Sequence, residues 1–281
     1  MIRAALAPSE SVRAPKWARP DRNVGAHSEA EALFFAVAAL SALDAVVRSD
    51  PPWAGAWRAR LAPKTAAAVA QNLLARREDE SALRDAVAFA KSVQELGPAG
   101  RVCAAFRTLC GPGDPFRPER LAAVAADLMA PLDPDRAGEL AAALREAGAR
   151  PRPAPVVAAA AAEAVTALRV GAEPLALWVA DAALARSLGW PVPVPLLASE
   201  ALRRGSGESR RPRPGDAGWA KHVALTTTRA GLAVLDLAQA SRAGRLGSRR
   251  PRRSCAPRRR TGRSRRCSPT TRSPPPRRSR A

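Results

Sequence analysis

HSEAEALFFAVAALSALDAVVRSD, residues 27–50, is the stretch whose reading decides the fold class. Ser28 stands where an N-cap residue belongs. Glu31 follows three positions on, and together they form the capping box that satisfies two orphan backbone N–H groups of a helix start. Leu33, Val37, Leu40 and Val47 then recur at helical spacing and predict one buried stripe. Asp50-Pro51-Pro52 ends the segment, because proline lacks the N–H a helix needs and pushes the residue before it out of helical geometry. The apolar run 32–47 is interrupted by Ser41 and Asp44 and is short for a bilayer, so it reads as a core helix and no membrane association is expected.

The same pattern repeats along the chain. WAGAWRARLA (53–62) opens a new segment with Trp53 and Trp57 one turn apart. Helices are predicted over 63–77, 79–94, 98–110, 117–130 and 133–148, separated by Gly97-Pro98, Gly111-Pro112-Gly113, Pro131 and Pro134. An alanine-rich helix follows over 156–170. In EPLALWVADAALARSLG (173–189), Leu177, Leu184 and Leu188 share a face and Gly189 is a natural terminator. WPVPVP (190–195) must run extended, and a last helix is expected over 217–240. No segment alternates at period two, aromatics make up 4%, tyrosine is absent, and Ile2 is the only isoleucine. That palette suits helices and disfavours sheets. The fold class is all-α, a multi-helix bundle or two packed helical halves. The organisation expected is a flexible lead-in (1–26), a first helical half (27–150), a Pro-rich connector (151–155), a second half (156–240) and a disordered Arg/Ser/Pro tail (241–281).

Charge is concentrated at one end. The chain has a net charge of +21, yet residues 241–281 hold 16 of the 46 basic residues and none of the 25 acidic ones. The remaining 240 residues carry 30 basic against 25 acidic groups, an ordinary balance for a globular body. Arginine outnumbers lysine 42 to 4, which fits the codon bias of a GC-rich genome. Read one base earlier as GC-rich codons, RCSPTTRS (266–273) becomes Ala/Leu phrasing like that of the body, so the tail reads as out of frame. The rival reading is a real arginine-rich arm that would bind nucleic acid non-specifically through phosphates. No export signal is recognisable at the start, and the protein is expected to be cytoplasmic.

Chemistry-bearing residues are few. Asp44 and Asp181 each fall on an apolar helical stripe, where a carboxylate is expensive unless paired or hydrogen-bonded. Arg48, four residues after Asp44, is its expected partner, and Arg186, five after Asp181, is less well placed. Two readings stay open, inward carboxylates serving a ligand or an acid–base step, and structural ion pairs at helix ends. Trp53, Trp57, Trp178 and Trp190 cluster near Pro-rich breaks, where they line a groove or fill space. His27 and His222 read as surface or packing residues. The four cysteines fit neither a disulfide framework nor a metal spacing. No phosphate-binding glycine loop and no nucleophile elbow occurs. No metal, cofactor or catalytic constellation is implied, and the expected role is binding an unidentified protein partner or DNA. ALDAVVRSDPPW and VADAALARSLGWP also echo one another, each an apolar helix with an Asp, then Arg-Ser, then a Trp/Pro break.

Several phrases carry a resemblance. RSDPPWAGAWRARLAPKTAA (48–67), ARREDESALRDA (75–86), GPAGRV (97–102), LALWVADAALARSLGWPVPVPLLA (175–198) and RPGDAGWAKH (213–222) together resemble the uncharacterised bacterial family called domain of unknown function 1403. The resemblance covers about residues 15–240 and implies no assigned activity, ligand or catalytic residue. It does imply that relatives continue past residue 240 in Ala/Leu-rich helices and a segment similar to a small winged-helix element. A DNA-associated accessory role, with its reading element in that C-terminal segment, is the alternative this suggests.

Overall fold

A computed structural model describes residues 14–20, 27–149, 151–203 and 210–248. Expectations that fall on the remaining residues, including most of the tail, lie outside that description. A 3-10 turn (Lys16–Ala18) precedes α1 (Glu29–Ser49), α2 (Ala54–Arg58), α3 (Leu61–Leu73), α4 (Glu80–Phe89), α5 (Pro98–Leu109) and α6 (Pro118–Asp127). Then come α7 (Pro134–Ala149), α8 (Ala154–Leu168), α9 (Glu173–Ser187), α10 (Ala198–Ala201) and α11 (Trp219–Ser248). No strand occurs among the described residues, and the fold is all-α.

The centre of the architecture is α9. Every residue from Pro174 to Ala185 is buried, so this helix has no solvent face. A helix apolar all round belongs inside a bundle, and the alanines of α8 let it approach closely. The two form a hairpin across Arg169–Ala172, where Gly171 takes the positive φ of 82° that a side chain would resist. Around this hairpin pack α5, α7, α10 and α11, while α3 rests on α5 and α10. One continuous hydrophobic cluster draws on both sides of Pro151–Pro155, from Leu43 and Phe106 to Trp178 and Leu235.

The second organising contact is α1 against α11, two helices running the same way. Ala32 and Ala36 meet Ala224 and Leu225 near their starts. Further along, Gly231 lies so close to α1 that a Cβ placed there would meet Ala39 Cβ at 3.3 Å. This approach sets which face of α1 is inside. The buried residues are Ala32, Ala36, Ala39, Leu40, Leu43, Val46 and Val47, whereas Val37 is half exposed. The expected stripe therefore holds at Leu40 and Val47 and fails at Val37. A helix apolar at nearly every position leaves its phase unreadable, and the small alanines, not the larger residues, face the partner. α1 is also long and apolar enough to cross a membrane, but its inner face is packed on α11 and the core.

Local signals explain most boundaries. The capping box is present, with Ser28 Oγ accepting from the Glu31 N–H at 3.3 Å and Glu31 Oε2 accepting from the Ser28 N–H at 2.6 Å. The Ser28 N–H, joined by the Ser28 hydroxyl donating to the same oxygen at 2.8 Å, holds the Glu31 carboxyl below its ordinary range. Pro98, Pro118 and Pro155 sit in first turns, where a missing N–H costs nothing. That places Ala154 and Pro155 inside α8, so the expected connector shortens to 151–153. The helix expected over 79–94 stops at Phe89, and Glu95 turns back to accept the Lys91 N–H at 3.0 Å. The lead-in is corrected where it is described. Ala14 and Ala18 are buried on the core, and Arg19 reaches Asp236 of α11 at 3.1 Å. The last helix also runs on to Ser248, beyond the expected end at residue 240.

Candidate functional site

The two aspartates lie in different surroundings. Asp181 is fully buried in the middle of α9. Its carboxylate accepts the N–H groups of Leu196 and Leu197, each at 3.0 Å. Those are the first donors available after Pro195, so the aspartate pins the extended segment that prolines have barred from any helix. Burial pushes its carboxyl up to about 8, against the pull of the two N–H donors. Arg186 is not its partner. Five residues on, it lies about 140° round the helix, where it pairs with Asp114 and stacks 4.4 Å over the Phe116 ring.

Asp44 does take Arg48, whose Nε lies 2.9 Å from both carboxylate oxygens. The indole N–H of Trp190 donates to the same carboxylate at 2.8 Å. Arg48 continues across to the end of α9, donating to the carbonyls of Leu188 at 2.6 Å and Gly189 at 3.3 Å. One ion pair thus closes the C-terminus of α1 onto orphan carbonyls of another helix. The two echoing segments differ in use, since Asp44 holds side chains and Asp181 holds backbone. Each carboxylate is committed to donors that position chain segments.

The tryptophans divide as well. Trp57 and Trp178 are fully enclosed, and their indole N–H groups donate to the carbonyls of Val234 at 3.1 Å and Ala105 at 2.9 Å. Trp190 is 7% exposed and spent on Asp44, and Trp53 packs edge-on against Trp57 with ring centres 6.1 Å apart. Rings tied down this way fill space between helices. His222 is likewise internal, 3.0 Å from the Ala201 carbonyl and stacked on Trp219. Burial pushes the thiols of Cys103 and Cys110 up to about 11 and about 12. Among the described residues no three His, Cys, Asp or Glu side chains gather as a metal would require.

Among the described residues the surface has an aromatic concentration that sequence reasoning missed. Trp17 is 64% exposed, Phe34 55% and Val37 50%. Trp17 lies 5.9 Å from Phe34, Phe34 meets Phe35 edge-on at 5.5 Å, and His27 lies 5.2 Å from Phe35. The turn at Lys16–Ala18, anchored by buried Ala18, sets Trp17 beside the outer face of α1. The only signal in the sequence was the Phe34-Phe35 pair inside a helix whose phase was ambiguous. An opening of about 460 Å³ between α4 and α5 is a lesser feature, lined by Leu83, Ala86, Phe89 and Leu96 with Glu78 and Glu95.

The model of a family described as a protein of unknown function, DUF1403, matches residues 6–261. That match starts before residue 15 and runs past residue 240, so it reaches further at both ends than the resemblance read from the quoted phrases. No curated protein and no solved structure matches the chain.

Proposed function

We propose that this chain, which belongs to the DUF1403 family, is a non-catalytic helical protein that acts by docking a partner protein on the outer face of α1. The observation that carries this reading is the contiguous exposure of Trp17, in the 3-10 turn, with Phe34 and Val37 on the outer face of α1. Taking about 200 Å² for a fully exposed aromatic side chain, the two rings alone leave roughly 240 Å² of apolar surface in water. A strip of that kind with its neighbours approaches the size of patches that mark interaction sites. The non-catalytic part draws support from the two candidate carboxylates, both committed to structural donors.

A photo-crosslinking amino acid introduced at Val37 in the producing cell tests the reading, with the exposed Arg145 of α7 as the control position. A protein adduct is expected from position 37 and not from 145. Equal capture at both positions, or none at 37, overturns it.

A further inference from the structure

Three helix ends converge beside the Pro-rich connector, the last turn of α7, the first turn of α8 and the last turn of α9. The ridges that interdigitate along helix shafts give out there. An opening of about 300 Å³ is left, at the lower bound of the ~300–1,000 Å³ typical of small-molecule pockets. Its bottom is apolar, made by Leu144 of α7, Val157 of α8, Ala183 of α9 and the Phe116 ring, each 5% exposed or less. These are packed core side chains, so the apolar part of the opening is already formed. Gly148 lines it too, and a Cβ added there would meet nothing within 4 Å.

The mouth is cationic. Among the described residues, the charged side chains that line the opening are both arginines, Arg152 and Arg186, with the exposed Ser187 beside them. Arg186 is held in place by stacking over Phe116 and by Asp114, which accepts from its Nη2. Its Nε and Nη1 donors meet no acceptor among the described residues. Arg152 is tethered through Nη2 to the Ala147 carbonyl, at 3.1 Å, near the end of α7. Two fixed guanidinium groups above an apolar floor present the fork of donors that an oxyanion takes. The positive surplus is small, because Asp114 already neutralises one edge of Arg186 and Glu146 shares a neighbouring opening with Arg152. That balance suits a singly charged carboxylate better than a phosphate dianion.

We infer that this opening is a binding site for a small organic monocarboxylate. The short apolar body of the ligand rests on Leu144, Val157 and Ala183, and its carboxylate lies against Arg152 and Arg186 at the mouth. The volume limits the body to a short alkyl chain or a single ring. The site shares no residue with the outer face of α1, so it stands or falls independently of the docking reading.

NMR titration of the full chain with hexanoate, at ~0.15 M salt, tests this. A Kd of about 0.1–1 mM is expected for a ligand of that size. Hexanamide, of the same shape and without charge, should bind about tenfold or more weakly, since it forgoes the charge-assisted bonds. Arg152→Gln should weaken hexanoate by a similar factor. Gly148→Leu should abolish binding by filling the opening, with circular dichroism to confirm the fold, and leucine is the better helix former. If Gly148→Leu does not fold, Arg152→Gln, at an exposed side chain, carries the test. Arg84→Gln on α4 is the control and should leave binding unchanged. No hexanoate binding up to about 10 mM overturns the inference. So does equal binding of hexanamide, or hexanoate binding unchanged in both Arg152→Gln and Gly148→Leu. Inorganic phosphate displacing hexanoate at equal concentration overturns the choice of a carboxylate.

Discussion

Replacing Asp181 by Asn tests how a buried carboxylate is tolerated at the centre of α9. The side chain keeps its shape, but only one of its two terminal groups still accepts a hydrogen bond. One of the Leu196 and Leu197 N–H groups then faces an amide NH2, at a cost of about 1–3 kcal/mol for a buried donor left unpaired. The pH dependence is more diagnostic than that cost. In the folded protein the Asp181 carboxyl is pushed up to about 8, whereas in the unfolded chain it ionises near 4. Between those values the folded state binds more protons, so wild-type stability falls as pH rises, by up to about 1.4 kcal/mol per pH unit. The asparagine variant has nothing to titrate there. Its deficit against wild type should therefore be largest near pH 5 and shrink by as much as about 3 kcal/mol by pH 7.5. Urea unfolding of both proteins at the two pH values measures this difference, and shared titrations cancel. A deficit that stays constant, or grows toward pH 7.5, refutes the reasoning. It would mean that the two N–H donors outweigh desolvation and that the group is a stabilised carboxylate.

Other predictions follow from the same packing. Trp190→Phe removes one charge-assisted hydrogen bond to Asp44 and should cost about 1.5–3 kcal/mol in urea unfolding. Combined with Arg48→Ala, the cycle should show a coupling of about 0.5–3 kcal/mol, because both donors share one carboxylate. Gly231→Val should destabilise by about 1–3 kcal/mol, since the smaller Cβ alone would already press on Ala39. In the native protein at pH 8, N-ethylmaleimide followed by mass spectrometry should leave Cys103 and Cys110 unmodified, their thiols pushed up to about 11 and about 12. If residues 241–281 form a real arm that engages about eight phosphates, log K for DNA should fall against log salt with a slope of about −7, whatever the sequence of the oligonucleotide.

Much of the fold was legible because its signals are local. A capping box, prolines in first turns and glycines at helix ends act within four residues, so α1, α5 and α6 begin within a residue of where their sequences say. Asp44 found Arg48 for the same reason, one turn apart on one helix. The rest of that clamp was illegible, because Trp190 and the end of α9 arrive from 140 residues away or more. Asp181 was recognisable as needing a partner, yet its donors are backbone groups, which no residue identity marks. The outer aromatic face was hidden differently. In α1 the apolar residues go almost all the way round, and amphipathic phase disappears when there is little polar residue to set it.

By itself the sequence determined an all-helical protein, its order of helices and breaks, and the residues too costly to bury alone. These follow from backbone chemistry and desolvation, which act on each segment wherever it lies. Only the tertiary structure decided which side of α1 faces water. That choice belongs to Gly231 and the alanines of α1, whose lack of bulk lets α11 close on Ala39 and turns Phe34 and Val37 outward.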